Sequence, residues 1–453
     1  MEPNYETWAS SDRFLPKTFA RPLIKFTRVE ASSGIVLLVA AIIALIWANS
    51  AYSETYFSIL ETHLSIELGS FHFDESVLHL INDGLMAIFF FVVGLEIKRE
   101  LVLGDLRDRK AAALPVMAAL GGMIVPALIY FALNAGTDAA NGWGIPMATD
   151  IAFAVGVVAL LGSRVPTGAK LFLLTLAIAD DIGAISVIAV FYTSELHLGY
   201  FALAIAGLAG VWLAQRSRVR ALIFYIPLAI LIWFFTLESG VHATLAGVAL
   251  GFLTPAHPYI KPREFDTRAR AILDQFPVEA ESPTAQERAE HEVMSMIATA
   301  QESISPLSRM EENLVGWSSY FIVPLFALAN AGVDFRGTSI SETATSTIAL
   351  GVALGLVVGK MVGISLFTFI AVRSGVGRLP QGTGWNHIVA LSAVAGIGFT
   401  VSLFVAGLAF ADPHQIELAK VGIFIGSSVS GVLGAFMLSR ARGAGPRTST
   451  ASS

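Results

Sequence analysis

Apolar runs long enough for a helix recur along this chain, separated by polar intervals. A bilayer-spanning helix needs roughly 20 apolar residues. Runs of that kind lie near 33–50, 78–97, 112–133, 143–162, 171–192, 199–214, 220–236, 240–254, 314–332, 346–371, 386–410 and 418–439, the eighth being short. The pattern predicts an all-α polytopic membrane protein with about twelve transmembrane helices. Between the first two runs, "THLSIELGSFHFDE" at 62–75 alternates apolar and polar positions around Gly69-Ser70. That alternation predicts a β-hairpin.

Composition agrees with the pattern. Of 453 residues, 55% are hydrophobic and 14% charged, against about 25% charged in ordinary soluble chains. The net charge of −6 points to no partner, and a nucleic-acid partner is not expected. With no cysteines, the chain has neither disulfide nor thiolate chemistry.

Basic residues orient the spans, because cytoplasmic flanks are enriched in Lys and Arg. Arg13, Lys17, Arg21, Lys25 and Arg28 precede the first span, and Lys98, Arg99, Arg107, Arg109 and Lys110 follow the second. Every second connection after that is basic, including Arg164 and Lys170, Arg216, Arg218 and Arg220, the loop 255–312, and Arg373 and Arg378. The tail adds Arg440, Arg442 and Arg447, while the alternate connections carry only Arg336 and Lys420. Both termini are therefore expected in the cytoplasm, and the hairpin on the outer face. A signal-peptide reading of the start, with "WANSA" at 47–51 as cleavage site, conflicts with this parity.

The expected organisation is a cytoplasmic segment 1–32, a transmembrane domain 33–439 and a disordered cytoplasmic tail 440–453. The loop 255–312 mixes prolines with charges, and "TAQERAEHEVMSMIATAQESI" within it reads as a surface helix. A lone hairpin is marginal in water, so 62–75 is expected to pair with its copy in a homodimer.

Six ionisable residues fall within spans: Asp83, Glu96, Asp150, Asp180, Asp181 and Lys360. Each costs roughly 2.5–3.5 kcal/mol at mid-membrane on insertion scales, against a typical stability of about 5–15 kcal/mol. Pairing, water or protonation must compensate them, which points to an aqueous cavity or an ion path. Asp180 and Asp181 sit mid-span, and Lys360 lies in the middle of span ten. Neighbours on a helix differ by about 100° in direction, so one aspartate lines the cavity while the other reaches an adjoining helix. Asp83, near a span end, also reads as a helix-starting residue.

Two spans carry interruption signals. Pro146 precedes Thr149-Asp150 in span four, and Gly396 and Gly398 flank Ile397 in span eleven. These are corresponding members of two groups of opposite topology, spans 3–5 and 10–12. Interrupted spans in matching positions mark a transporter site at the interface of inverted repeats. Half-helix ends carry partial charges, and Asp150 and Lys360 are placed to neutralise them; the alternative for Lys360 is a structural bridge to Asp180.

The stretches "INDGLMAIFFFVVGLEIKREL" (81–101), "ATDIAFAVGVVALLGSRVP" (148–166), "LAIADDIGAISVIAVFYT" (176–193), "SGVHATLAGV" (239–248), "PLFALANAGV" (324–333), "GKMVGIS" (359–365) and "GIGFTVSLF" (396–404) resemble the NhaA family of bacterial sodium/proton antiporters. The resemblance runs from about span one to span twelve. It implies that Asp180 and Asp181 are ion-binding, proton-exchanging carboxylates in the bacterial inner membrane. Thr149 and Asp150 would belong to the crossed, unwound segments, with Lys360 facing them. Glu96, Lys98, Arg99 and Glu100 match the family's cluster implicated in pH response, though ion pairs three and four residues apart on one helix would look the same. His242 is similar to a family histidine linked to pH, and also reads as a buried, hydrogen-bonded histidine. The loop 255–312 departs from the pattern, being longer and carrying Glu279, Glu281, Glu287, Glu290, Glu292, Glu302, Glu311 and Glu312.

The implied activity is exchange of cytoplasmic Na⁺ (or Li⁺) for external H⁺ by alternating access, serving sodium and pH homeostasis, with no cofactor and no enzymatic reaction. A deprotonated aspartate offers hard oxygen ligands and a protonated one does not, so Na⁺ and H⁺ compete for one site. Two rival readings are an intramembrane aspartyl protease, using Asp150 with Asp181, and a passive cation channel. The protease motif Gly-x-Gly-Asp is missing at every intramembrane aspartate, and interrupted helices in inverted repeats disfavour a channel.

Overall fold

The computed structural model describes residues 32–68, 71–193, 196–217, 219–220, 222–277, 282–336 and 346–441. The N-terminal segment up to residue 31, Gly69 and Ser70, Arg218, Glu279, Glu281 and the tail from Arg442 lie outside the described residues.

Helices dominate. In chain order they are α1 (Ser32–Ala48), α2 (Ser53–Glu61), α3 (Val77–Val102), α4 (Arg109–Asn134), α5 (Ile151–Leu161), α6 (Thr167–Phe191), α7 (Leu198–Arg216), α8 (Leu222–Glu238) and α9 (Thr244–Leu253). There follow α10 (Pro262–Gln275), α11 (Pro283–Glu302), α12 (Pro306–Trp317), α13 (Val323–Asn330), α14 (Thr347–Leu354), α15 (Lys360–Arg373), α16 (Trp385–Val394), α17 (Phe399–Ala409) and α18 (Pro413–Arg440). Strands β1 (His63–Leu68) and β2 (Phe71–Ser76) pair antiparallel, with His63 opposite Ser76 and Leu68 opposite Phe71.

Among the described residues, seven helical stretches are long and apolar enough to cross a membrane, or nine if each of two bent pairs counts as one span. The bent pairs are α1 with α2, at 111°, and α16 with α17, at 50°. Other apolar runs fall on shorter pieces: α8, α9, and the stretch around 314–332, which a π-turn at Ser318–Ile322 divides into α12 and α13. Of the long loop, residues 262–275 and 283–302 are helical. Pro at the first turn suits the missing N–H of that position, and Ser282 caps α11 by accepting from the Ala285 N–H.

The chain forms two compact units. The first comprises Met1–Met86, Asp108–Ser194 and Ser319–Ser453. Within it α4 lies along α15, and their backbones approach where Gly121 meets Gly363. Such small-residue contacts are the usual means of close helix packing in a bilayer, where apolar burial gives little drive. The second unit comprises Ala87–Arg107 and Glu195–Ser318. Its core joins Val211, Ile232 and Ala246, with a smaller cluster of Leu95, Ala256 and Leu307.

Candidate functional site

The first unit holds two polar constellations. In α6, Asp180 and Asp181 are 2% and 7% exposed, and Lys360, the first residue of α15, is wholly buried. The Lys360 ammonium donates to Asp180 Oδ2 at 2.6 Å. The second oxygen, Asp180 Oδ1, is buried and has no hydrogen-bond partner among the described residues. A buried acceptor left in that condition costs the desolvation of the group, about 1–3 kcal/mol. It is a free oxygen ligand in a setting that already holds a compensating cation.

The second constellation is a crossing of two interrupted helices. The chain leaves a 3₁₀ segment at Ala140–Met147, runs extended through Ala148–Asp150 and re-enters helix as α5. The companion break separates α16 from α17. The Asp150 N–H donates to Ile397 O at 2.7 Å, and the Thr149 hydroxyl donates to Ala395 O at 2.8 Å. Asp150 Oδ1 accepts from the Phe153 N–H at 3.0 Å, capping α5. Its Oδ2 accepts from the Thr400 N–H at 3.1 Å and the Thr400 hydroxyl at 2.6 Å, at the start of α17. One carboxylate thus serves two helix N-termini, where partial positive charge gathers. The Ser402 hydroxyl donates to Ile145 O, near the end of the 3₁₀ segment.

The sequence pattern placed Asp150 and Lys360 as neutralisers of opposite half-helix ends. Asp150 occupies that position for the N-termini. Lys360 makes its hydrogen bond to Asp180, the bridge expected as the alternative, and the carbonyls at the breaks are met by Thr149 and Ser402. Hydroxyls suffice there because a helix C-terminus carries only a partial charge spread over several carbonyls.

Asp83 does not start its helix. The Ser76 hydroxyl caps α3 by accepting from the His79 N–H, while Asp83 lies inside a π-turn at Leu80–Leu85 and faces His79 Nε2 at 2.9 Å.

In the second unit, Glu96, Lys98, Arg99 and Glu100, which resemble a pH-responsive cluster, share one helix, α3. Lys98 donates to the carbonyls of Phe252, at 2.6 Å, and Thr254, at 2.5 Å, at the C-terminal end of α9. Arg99 lies 2.5 Å from Glu311 and 3.8 Å from Glu100. Glu96 is set in the same helix, flanked by buried Leu95 and Ile97. Burial pushes the Glu311 carboxyl above its ordinary value and Glu100 adds to this, while Arg99 opposes both.

Thr400 and Ser402 were not legible as site residues, although a hydroxyl just after a glycine-flanked break inside an apolar span is a signal of sorts. Glu311 stood in the sequence as one acid among many.

Interrupted helices that meet at a buried carboxylate, in a helical bundle with a buried lysine–aspartate pair, define a secondary transporter rather than a hydrolase. Residues 24–438 match the model of the family described as Na⁺/H⁺ antiporter 1, and the chain belongs to that family. It is 44% identical to Na⁺/H⁺ antiporter NhaA 2 of Sorangium cellulosum over 427 residues, covering 94% of this chain and 91% of that protein. It is 45% identical to Na⁺/H⁺ antiporter NhaA of Rhodopirellula baltica, covering 92% and 93%, and 45% identical to its counterpart in Syntrophobacter fumaroxidans, covering 93% and 91%. The protease and channel readings find no support in these likenesses.

Proposed function

We propose that this chain exchanges cytoplasmic Na⁺ (or Li⁺) for external H⁺ by alternating access in the bacterial inner membrane, with Asp180 and Asp181 as the shared cation and proton site. The carrying observation is the free, buried Oδ1 of Asp180 beside the Lys360 pair; membership of the antiporter family supports it. In this reading the transmembrane domain has about twelve spans with both termini cytoplasmic, and spans 3–5 and 10–12 are inverted repeats.

Na⁺ is the substrate, held by carboxylate oxygens as a hard cation. Proton arrival at the same oxygens removes their charge and releases it. Asp150 and Thr149 hold the crossing of the interrupted helices, and Lys360 balances Asp180 while the site is empty. Glu96, Lys98, Arg99 and Glu100 tune the response to pH. The strand pair at 62–75 faces outward and joins two copies as a homodimer.

The test is a vesicle holding a pH gradient, challenged with Na⁺, Li⁺ and K⁺. Collapse by Na⁺ or Li⁺ but not K⁺ is expected, with apparent sodium affinity falling as pH drops. Cation flux without proton movement would refute exchange, and an affinity indifferent to pH would refute a shared site.

A further inference from the structure

The turn that precedes Lys360 is wider than an α-turn. Residues Gly355–Gly359 form a π-turn, and the Lys360 N–H donates to Gly355 O, five residues back. Such a turn accommodates one extra residue and is frequent at functional sites. What it touches is specific. A Cβ at Gly355 would lie 2.6 Å from Pro146 Cβ, in the segment leading to the first helix break. A Cβ at Gly396 would collide with Leu356 O, and one at Gly398 would lie 2.8 Å from Leu356 Cδ2, so the second break also rests on this turn. On the α4 side, a Cβ at Gly359 would lie 2.7 Å from Pro126 Cα.

The extra residue has a geometric consequence. Gly351, Gly355, Gly359 and Gly363 recur every four residues and all abut α4 or the segment after it: Tyr130 and Asn134, Pro126 and Pro146, Pro126 again, and Gly121. On a regular helix each four-residue step drifts by about 40°, so three steps would carry Gly363 about 120° off the contact line. One inserted residue takes up most of that drift. The glycines stay against α4, and Lys360 enters the interior with its stem over Gly122, where an added Cβ would lie 3.6 Å from Lys360 Cδ. Asp180 and Asp181 of α6 are the titratable groups facing it.

We propose that the π-turn Gly355–Gly359 is the positioning element of Lys360, tying the placement of its ammonium against Asp180 to the crossing of the interrupted helices. This rests on the exchange function proposed above. A shift of either half-helix at the crossing moves Leu356 or Gly355, and through one turn moves the ammonium. The pairing of Lys360 with Asp180 therefore differs between the two states of the crossing.

The experiment compares Gly359→Ala, Leu356→Ala and Gly351→Ala with wild type and Lys360→Met in vesicles, reading the pH midpoint of Na⁺-driven exchange and the melting temperature. Gly351 is as tightly packed as Gly359, but the atoms nearest to it belong to Tyr130 and Asn134 of α4. Gly359→Ala and Leu356→Ala should move the midpoint in the direction of Lys360→Met, by about half a pH unit or more. Combining either with Lys360→Met should add nothing. Gly351→Ala should lower the melting temperature and leave the midpoint in place. Should Gly359→Ala fail to insert, Leu356→Ala decides, since it adds no atoms. A wild-type midpoint in the variants, or an equal shift in Gly351→Ala, overturns the inference; wild-type protein without exchange overturns the function instead.

Discussion

Lys360 is wholly buried and meets one carboxylate oxygen, whereas Arg99 is 40% exposed at its side chain and meets two carboxylates, Glu311 and Glu100. Both are cations beside acids in a largely apolar chain, but different physics governs them. Removing one partner of a buried pair leaves an uncompensated charge, whereas water and salt screen an exposed pair. The buried group is thus suited to an on-or-off event and the partly exposed group to graded adjustment.

The sharpest way to break this contrast is to remove charge from the buried site. Asn keeps the shape of Asp and one acceptor oxygen but neither exchanges a proton nor offers full negative charge. Asp181→Asn should abolish exchange, and Asp180→Asn should abolish or severely impair it, with both proteins folded and inserted. Vesicle exchange and calorimetric Na⁺ binding across pH check this. A folded Asp181→Asn protein that still exchanges would end the shared-carboxylate mechanism.

Next in size is Lys360→Ala. It strands the Asp180 carboxylate, and the loss of a buried partner costs about 3–5 kcal/mol. The double variant Lys360→Ala with Asp180→Asn should recover much of that stability, while exchange is abolished or severely impaired by the change at Asp180. Thermal unfolding in detergent would show it, and equal melting temperatures for single and double variants would dissolve the pair.

Asp150→Ala should cost less, about 1–3 kcal/mol, because it withdraws an acceptor from two helix N-termini without leaving a charge behind. Thr400→Val, which removes one of the three donors at that carboxylate, should cost about 1 kcal/mol. A larger loss in Thr400→Val than in Asp150→Ala would mean that Asp150 is not the centre of the crossing.

Much of this arrangement was legible in the chain because charge in an apolar run is costly and therefore conspicuous. Asp180, Asp181, Asp150 and Lys360 announced themselves in that way, and Pro146 and the glycines at 396 and 398 marked the breaks. Pairing of Lys360 with Asp180 and pairing with a helix end were both readable, and which of them holds depends on the phase of α15. That phase is set by a π-turn whose sequence, "GLVVG", reads as ordinary helix. The roles of Thr400 and Ser402 were hidden for a related reason: hydroxyls are tolerated anywhere in a membrane helix by bonding to their own backbone, as Thr175 does with Leu171 O. Glu311 was obscured by its acidic neighbours, because only the fold selects which acid meets Arg99.

The smallest effect belongs to the Arg99 cluster and appears as a slope with pH. Burial, reinforced by Glu100, lifts Glu311 above the ordinary glutamate range while Arg99 pulls it back. With the folded value above the unfolded one, the native state holds the extra proton. Stability then falls as pH rises from the unperturbed value of about 4.3 through the raised one, and is level above it. Glu311→Gln cannot titrate, so its melting temperature relative to wild type should climb across that window and then stay flat. Arg99→Ala removes the opposing influence, which should extend the decline of wild-type stability to higher pH. Because Arg99 is partly exposed and screened, the shift should be about 1–2 °C and should shrink in high salt. A difference between Glu311→Gln and wild type that is constant across pH would show that Glu311 is not the titrating member of the cluster.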